Sequence, residues 1–403
     1  MRKILLAAAA SGAALLLGAT GLLPARVEEA ARLVEEVRGR RFERAVPASE
    51  MGQEELRKVL QSKIAEAFPA PPEDTMRTLV AVGLMDESRN LADRLVDFYV
   101  SQVVAFYDPA PRRFFVIRGA ESAFGGAGME DMADRLILSH ELMHALQDET
   151  LRLDRRLRDL RDNTDRTLAL ECLLEGEATL VMVRAALTNL PGAGDEVEEM
   201  LGPLLSAGAL ERANVPKEIP DYFVEQLFFP YTEGTAYVRD LVKRGGWAEI
   251  DRLWRSPPIS TSEILHGTPP APPASDLLPS SIAGLTPAGF RPLYADTLGE
   301  WTLRFLLRRS LPQEDADAAA AGWRGDRIAF FAAGQRIAFV WRLRFDSPGS
   351  AARFETAWSR LKRPKASEES FTRSAREVLI VHGAARTPDL PGFPGRPVAR
   401  PAR

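Results

Sequence analysis

Cysteine is almost missing: Cys172 is the only one in 403 residues. A single thiol excludes an intrachain disulfide framework, a cysteine-rich zinc finger and a CxxC redox pair. Histidine is scarce as well, with four, at positions 140, 144, 266 and 382. Neither sign of charge dominates: Lys plus Arg number 52 against 56 Asp plus Glu, a net charge of −4. The basic excess of a general nucleic-acid binder is therefore lacking, and no nucleic-acid partner is expected. Beyond Leu23 no stretch approaches 18 apolar residues, so no later segment reads as a membrane span.

What is present is a globular composition, 45% apolar and 27% charged, long enough for two domains. The chain starts Met1-Arg2-Lys3 and runs without charge from Ile4 to Leu23. A basic start, an apolar Ala- and Leu-rich run and small residues at its end are the marks of export. Residues 1–25 are read as a signal peptide or an uncleaved N-terminal anchor, and membrane attachment is expected through this segment alone. The expected location is periplasmic, extracellular or anchored outside the cytoplasm.

Apolar spacing predicts helices over 27–38, 54–68, 74–99, 131–161 and 165–188, with shorter ones near 196–205, 235–243 and 247–254. Two runs rich in β-branched and aromatic residues, 103–107 and 113–117, flank Asp108-Pro109-Ala110-Pro111 and predict a hairpin. Gly125, Gly126 and Gly128 mark a loop. The Pro-, Ala- and Ser-rich stretch 271–284 is the expected linker. After it, 328–331, 336–345 and 378–382 read as strands and 350–361 as a helix. Gly322-Trp323-Arg324-Gly325-Asp326 reads as a tight turn ahead of a strand. With five prolines after Thr387 and no apolar period, residues 384–403 read as a mobile Pro-rich tail.

Two of the four histidines stand in His140-Glu141-Leu142-Met143-His144. On a helix, positions i and i+4 share a face, so both imidazoles can reach one metal ion. Glu141 is turned about 100° away, where it can face a water as general base rather than join the ligands. A catalytic site needs a third ligand. The apolar helical run 168–180 carries Glu171, Glu175 and Glu177, and buried carboxylates are costly unless paired or bound to a cation. Glu175 and Glu177 are about 200° apart and cannot both face one site, whereas Glu171 and Glu175 are one turn apart and can.

His140-Glu141-Leu142-Met143-His144-Ala145-Leu146-Gln147-Asp148 resembles the active-site helix of thermolysin-type zinc peptidases, H-E-L-T-H-A-V-T-D. Glu175-Gly176-Glu177-Ala178 resembles the E-G-F-A stretch of zinc aminopeptidases, whose Glu is a zinc ligand. Together they look like a gluzincin. Segments 102–109, 229–238 and 260–266 are similar to elements of an uncharacterised group of exported bacterial and archaeal HExxH proteins, although Gly267 stands where that group carries proline.

The resemblance implies a predominantly helical α+β fold. Its zincin-like catalytic domain would span 27–270, with a small β-hairpin or sheet, and a smaller C-terminal α+β region would span 285–383. One Zn2+ would be held by His140, His144 and Glu175. Glu141 would be the general base in hydrolysis of a peptide or protein substrate. Asp148 would orient the second histidine, and Glu171 would support the ligands from behind. His266 and Tyr231, in loop-like segments, are the candidate oxyanion donors. His382 and Cys172 read as structural. The rival expectation is an envelope protein that keeps a metal without turnover.

Overall fold

A computed structural model describes residues 23–119, 130–188, 215–267, 276–362 and 368–398. Residues 1–22 of the expected leader, the glycine loop at 125–128, the helix expected at 196–205, residues 271–275 of the expected linker and the last five residues lie outside the described residues. The fold is α+β and mainly helical, with one sheet of three strands and one of five. Among the described residues no helix is long and apolar enough to cross a membrane.

Contacts divide the chain into two compact units, each assembled from separate stretches: 1–67, 90–159 and 170–257 in the first, and 68–89, 160–169 and 258–403 in the second. The first unit contains α1 (Leu23–Arg38), β1 (Ala48–Met51), α2 (Gln53–Ala67), α4 (Leu91–Gln102), β2 (Ala105–Asp108), β3 (Arg113–Ile117), α5 (Glu130–Leu151) and α6 (Leu153–Asp159). Most of α7 (Thr164–Leu187) follows, then α8 (Asp221–Phe229), a π-helical turn (Pro230–Gly234), α9 (Thr235–Gly245) and α10 (Trp247–Arg255). α3 (Pro72–Val82) belongs to the second unit.

The expected hairpin forms: β2 and β3 pair antiparallel, with Tyr107 opposite Phe114. β1 joins it by running parallel to β3, with Ser49 opposite Phe115. Two helices expected as longer units, 74–99 and 131–161, are cut by local backbone chemistry. Gly83 at φ 95 receives the end of α3, and its N–H bonds the Leu79 and Val80 carbonyls, the left-handed closure that glycine permits. Asn90 at φ 55 starts α4, and Arg152 at φ 52 separates α5 from α6. The core of this unit is α5 and α7. Every residue of α5 from Ile137 to Asp148 is buried, as is every residue of α7 from Thr167 to Val183. A helix buried on all sides has no solvated stripe, which is why weak amphipathicity accompanies the strongest chemistry in the chain.

The second unit also holds the first residues of α7, α11 (Thr261–His266), β4 (Arg291–Asp296), α12 (Gly299–Arg308), α13 (Gln313–Ala320), β5 (Trp323–Ala333), β6 (Arg336–Phe345), α14 (Pro348–Ser359), β7 (Glu369–Ser374) and β8 (Glu377–His382). The strands form one antiparallel sheet in the order β4-β5-β6-β8-β7. Alternation puts Phe331, Val340, Leu379 and Val381 in one cluster with Leu278, Leu390 and Phe393. On the other face Trp341 meets Trp358 of α14.

Two expectations change here. Residues 384–398 are not a loose tail: Leu390, Phe393 and Val398 are buried, and Thr387 and Arg396 exchange backbone and side-chain hydrogen bonds. Apolar residues spaced among the prolines anchor the segment, and the Arg342 guanidinium pins it by donating to the Pro391 carbonyl and lying over the Phe393 ring. Trp323 to Asp326 is not a turn but the start of β5, with an irregular register between Trp323 and Gly325. That irregularity is a bulge, which re-aims side chains. The buried Asp326 carboxylate accepts from Leu298 N, Gly299 N and the indoles of Trp323 and Trp341.

Candidate metal centre

α5 presents His140 and His144 on successive turns of one face, and α7 presents Glu175 to them. All three are buried and close enough to hold a metal ion. His140 Nε2 lies 3.1 Å from Glu175 Oε2, His144 Nε2 lies 3.4 Å from the same oxygen, and the two Nε2 atoms are 3.2 Å apart. A tetrahedral ion with bonds of about 2.0–2.1 Å places neighbouring ligand atoms about 3.3–3.4 Å apart. The three side-chain atoms thus already form one face of such a tetrahedron. Glu175 Oε1 is buried with no hydrogen-bond partner among the described residues. A desolvated, half-bonded carboxylate is costly without a cation.

The electrostatics point the same way. Burial holds His140 below the usual imidazole range. Burial also works against charge on His144, but the adjacent Glu175 carboxylate outweighs it and lifts His144 to about 9. Burial works to raise Glu175, yet His144 and the bonds from both rings bring it down to about 2. The carboxylate therefore requires positive charge at the centre of the triangle, from a proton on His144 or from an ion.

Glu141 stands outside the triangle. Its Oε2 accepts a 2.8 Å bond from the Tyr107 backbone N–H of β2. Burial pushes its carboxyl up to about 8, although the His144 charge and that N–H bond oppose the rise. Tyr231 sits in the π-helical turn, buried, with its ring stacked on His140 at 6.0 Å and an interplanar angle of 22°. Single π-turns interrupt helices at functional positions, and here the turn sets its tyrosine beside a candidate ligand.

The residues behind the ligands differ from expectation. His144 Nδ1 meets Gln147 Oε1 at 2.9 Å, so the bond expected from Asp148 is made by Gln147 instead. Asp148 accepts from the Tyr107 hydroxyl at 3.0 Å and from Leu153 N at 2.6 Å, joining β2 to the start of α6. Burial holds Asp148 above its ordinary range. Glu171 is buried one turn before Glu175; burial first, and the Glu171 charge second, raise the Tyr99 phenol. Glu177 faces away from the triangle, as its angle requires, and accepts from Gln147 Nε2 at 2.9 Å. His266 belongs to the second unit, where its Nε2 lies 2.9 Å from the buried Glu300 carboxylate. His382 pairs with Glu369 and stacks on Phe339. Cys172 is buried in α7.

Sequence reasoning passed over Gln147, the Tyr107 N–H and the paired glycines Gly176 and Gly234. Gln147 left one signal: an amide amid an apolar helix, three residues after His144, on the side of the helix its ring occupies.

Residues 291–390 match a family model described as a domain of unknown function, DUF8575. That stretch lies within the second unit and contains none of the triangle residues. No curated protein and no solved structure matches the chain.

Proposed function

We propose that the chain is an exported zinc-dependent metallopeptidase of gluzincin type, with a zincin-like core built around α5 and α7. The observation that carries this reading is the buried triangle of His140 Nε2, His144 Nε2 and Glu175 Oε2 with Glu141 next to it on α5. Two imidazoles and one carboxylate suit zinc and leave one coordination position open, the mark of a catalytic site rather than a closed structural one. Zinc bound there acidifies water and polarises a substrate carbonyl.

The chain's own residues divide the remaining work. Tyr107 N–H fixes one oxygen of Glu141, which leaves the other to take a proton from the attacking water and deliver it to the leaving amine. Its raised pKa of about 8 belongs to a group that accepts and returns protons near neutral pH. Tyr231, stacked on His140, is assigned as the hydroxyl donor to the oxyanion. The buried setting excludes bulk water from the ligands and strengthens each of these interactions. The charge-free run from Ile4 to Leu23 behind Arg2 and Lys3 supports export, and the substrate is a peptide or protein met outside the cytoplasm.

The test compares wild type with Glu141→Gln on a peptide library, with zinc measured in both. Wild type cleaves; the variant keeps its zinc and loses about 10²–10⁴-fold in rate, the usual contribution of a general base. Zinc-loaded wild type that cleaves nothing in a Glu141-dependent way would leave a metal-binding envelope protein as the function.

A further inference from the structure

Behind His144 runs a chain of hydrogen bonds that ends at Arg38, the last residue of α1. Gln147 Nε2 donates to Glu177 Oε2 at 2.9 Å and to the Leu174 carbonyl at 3.0 Å. Both partners are pure acceptors, so the amide nitrogen must face them. Its oxygen is thereby turned to His144 Nδ1, 2.9 Å away. An amide oxygen only accepts, so Nδ1 carries a hydrogen, and it is Nε2 that gives up its proton to offer a lone pair to the triangle.

Glu177 is itself held by three side chains. Arg38 Nε donates to Oε1 at 2.6 Å, and Trp254 Nε1 and Gln147 Nε2 donate to Oε2. The Arg38 guanidinium, at the last residue of α1, is 1% exposed. It lies 4.7 Å from the Trp247 ring centre and 5.0 Å from that of Trp254, and its NH2 reaches Asp251 at 2.6 Å. Trp247 Nε1 bonds the Val37 carbonyl, which ties α10 to the end of α1. Both oxygens of Glu177 and both ends of the Gln147 amide are bonded, and two indoles remove Arg38 from water. A buried charge pair is an expensive way to stabilise a fold, since apolar residues of similar volume do as well. What the pair does provide is direction.

We propose that Arg38, Glu177 and Gln147 form a positioning relay that fixes the ring orientation and tautomer of His144, so that α1 clamps the metal centre from outside its ligand shell. The inference deepens the metal-centre reading and rests on it. It places the orienting carboxylate one amide further from the imidazole than a direct carboxylate–histidine pair. It also explains Glu177: two residues past a ligand, pointing away from it, and still part of the site.

The test measures zinc affinity of the full chain by competition with a chromophoric chelator, alongside the cobalt(II) absorption spectrum, the His144 Nδ1 proton resonance and thermal melting. Gln147→Leu weakens zinc about 10–100-fold, as loss of such partners typically does, shifts the cobalt bands and loses the protected Nδ1 proton. The swap Gln147→Glu with Glu177→Gln keeps net charge, places a carboxylate directly on Nδ1 and recovers affinity to near that of wild type. A merely structural role would not predict that recovery. If Gln147→Leu does not fold, the swap and the Arg38→Met, Glu177→Gln double variant decide, because neither strands a buried charge. Unchanged affinity and spectrum in folded Gln147→Leu or in the folded Arg38→Met, Glu177→Gln double variant, or a swap that does not regain wild-type affinity, overturn the relay and leave the metal centre standing. Wild type that takes up no zinc overturns the metal centre, and the relay with it.

Discussion

The carbonyl oxygen of Gly234 occupies the place where a Cβ on Gly176 would stand, 2.3 Å from that position. The relationship is mutual in effect: a Cβ on Gly234 would stand 2.5 Å from the Cys172 carbonyl oxygen. The π-helical turn that carries Tyr231 therefore lies backbone against backbone on α7, at the residue next to Glu175. Two glycines far apart in sequence set the distance between a candidate ligand and the ring that covers its neighbour.

Gly176→Ala should accordingly destabilise the protein by about 1–3 kcal/mol or more, because the clash is with backbone that cannot rotate away. Gly234→Ala should do the same through Cys172. Thermal melts check both. A variant at either position that melts like wild type would show that the contact is looser than described.

Much of the fold was legible because local signals and tertiary packing agree. The hairpin announced itself through two β-branched, aromatic runs around Asp108-Pro109, and α5 and α7 through their length. The His140, Glu141, His144 spacing was readable because one helical turn fixes it. β1 was not readable: Ala48 to Met51 has no alternation, and its strand character comes from β3, more than sixty residues later. β7, Glu369 to Ser374, is a polar edge strand for the same reason. Helical arithmetic placed Glu177 away from the imidazoles, and it is. What arithmetic on one helix does not contain is Gln147 on another, or Arg38, which lies 139 residues from Glu177. The tail misled because proline density outweighed Leu390, Phe393 and Val398 in the reading.

The second unit depends on Asp326. Four donors converge on its carboxylate at 2.9–3.0 Å, two of them indoles. Asp326→Ala leaves all four buried without an acceptor, at about 1–3 kcal/mol for each unsatisfied group that cannot find water. A loss of at least about 3 kcal/mol in chemical denaturation is the expected result. A loss below about 1 kcal/mol would mean that the donors re-pair at little cost.

Asp165 gives stability a pH dependence. Burial lifts its carboxyl to about 7, against the opposing bonds from Thr261 N–H and hydroxyl, with further upward push from Asp326 and Glu300. The folded pKa exceeds the unfolded value, so the folded state holds a proton that the unfolded state gives up. The stabilising contribution is full below about pH 4 and is lost as pH rises to about 7, at up to about 1.4 kcal/mol per unit. Asp165→Asn should flatten that slope. Urea denaturation at pH 5 and pH 7.5 tests the difference between the two proteins, and identical slopes would refute the assignment.

Metal uptake should release at least one proton. His144, lifted to about 9 by Glu175, must lose its Nε2 proton before that nitrogen can bind an ion. Apparent zinc affinity should therefore fall at least tenfold for each pH unit below about 9, within the range where the protein stays folded. Isothermal titration calorimetry in buffers of different ionisation enthalpy counts the protons directly, and a count of zero would contradict a protonated His144.

The most direct test of the whole account is the zinc content of the purified protein after equilibrium dialysis against a low, fixed free-zinc concentration, measured for wild type and Glu175→Ala. The account predicts one ion per chain in the first and none in the second, with both folded. No bound zinc in wild type, or full retention by Glu175→Ala, would contradict it.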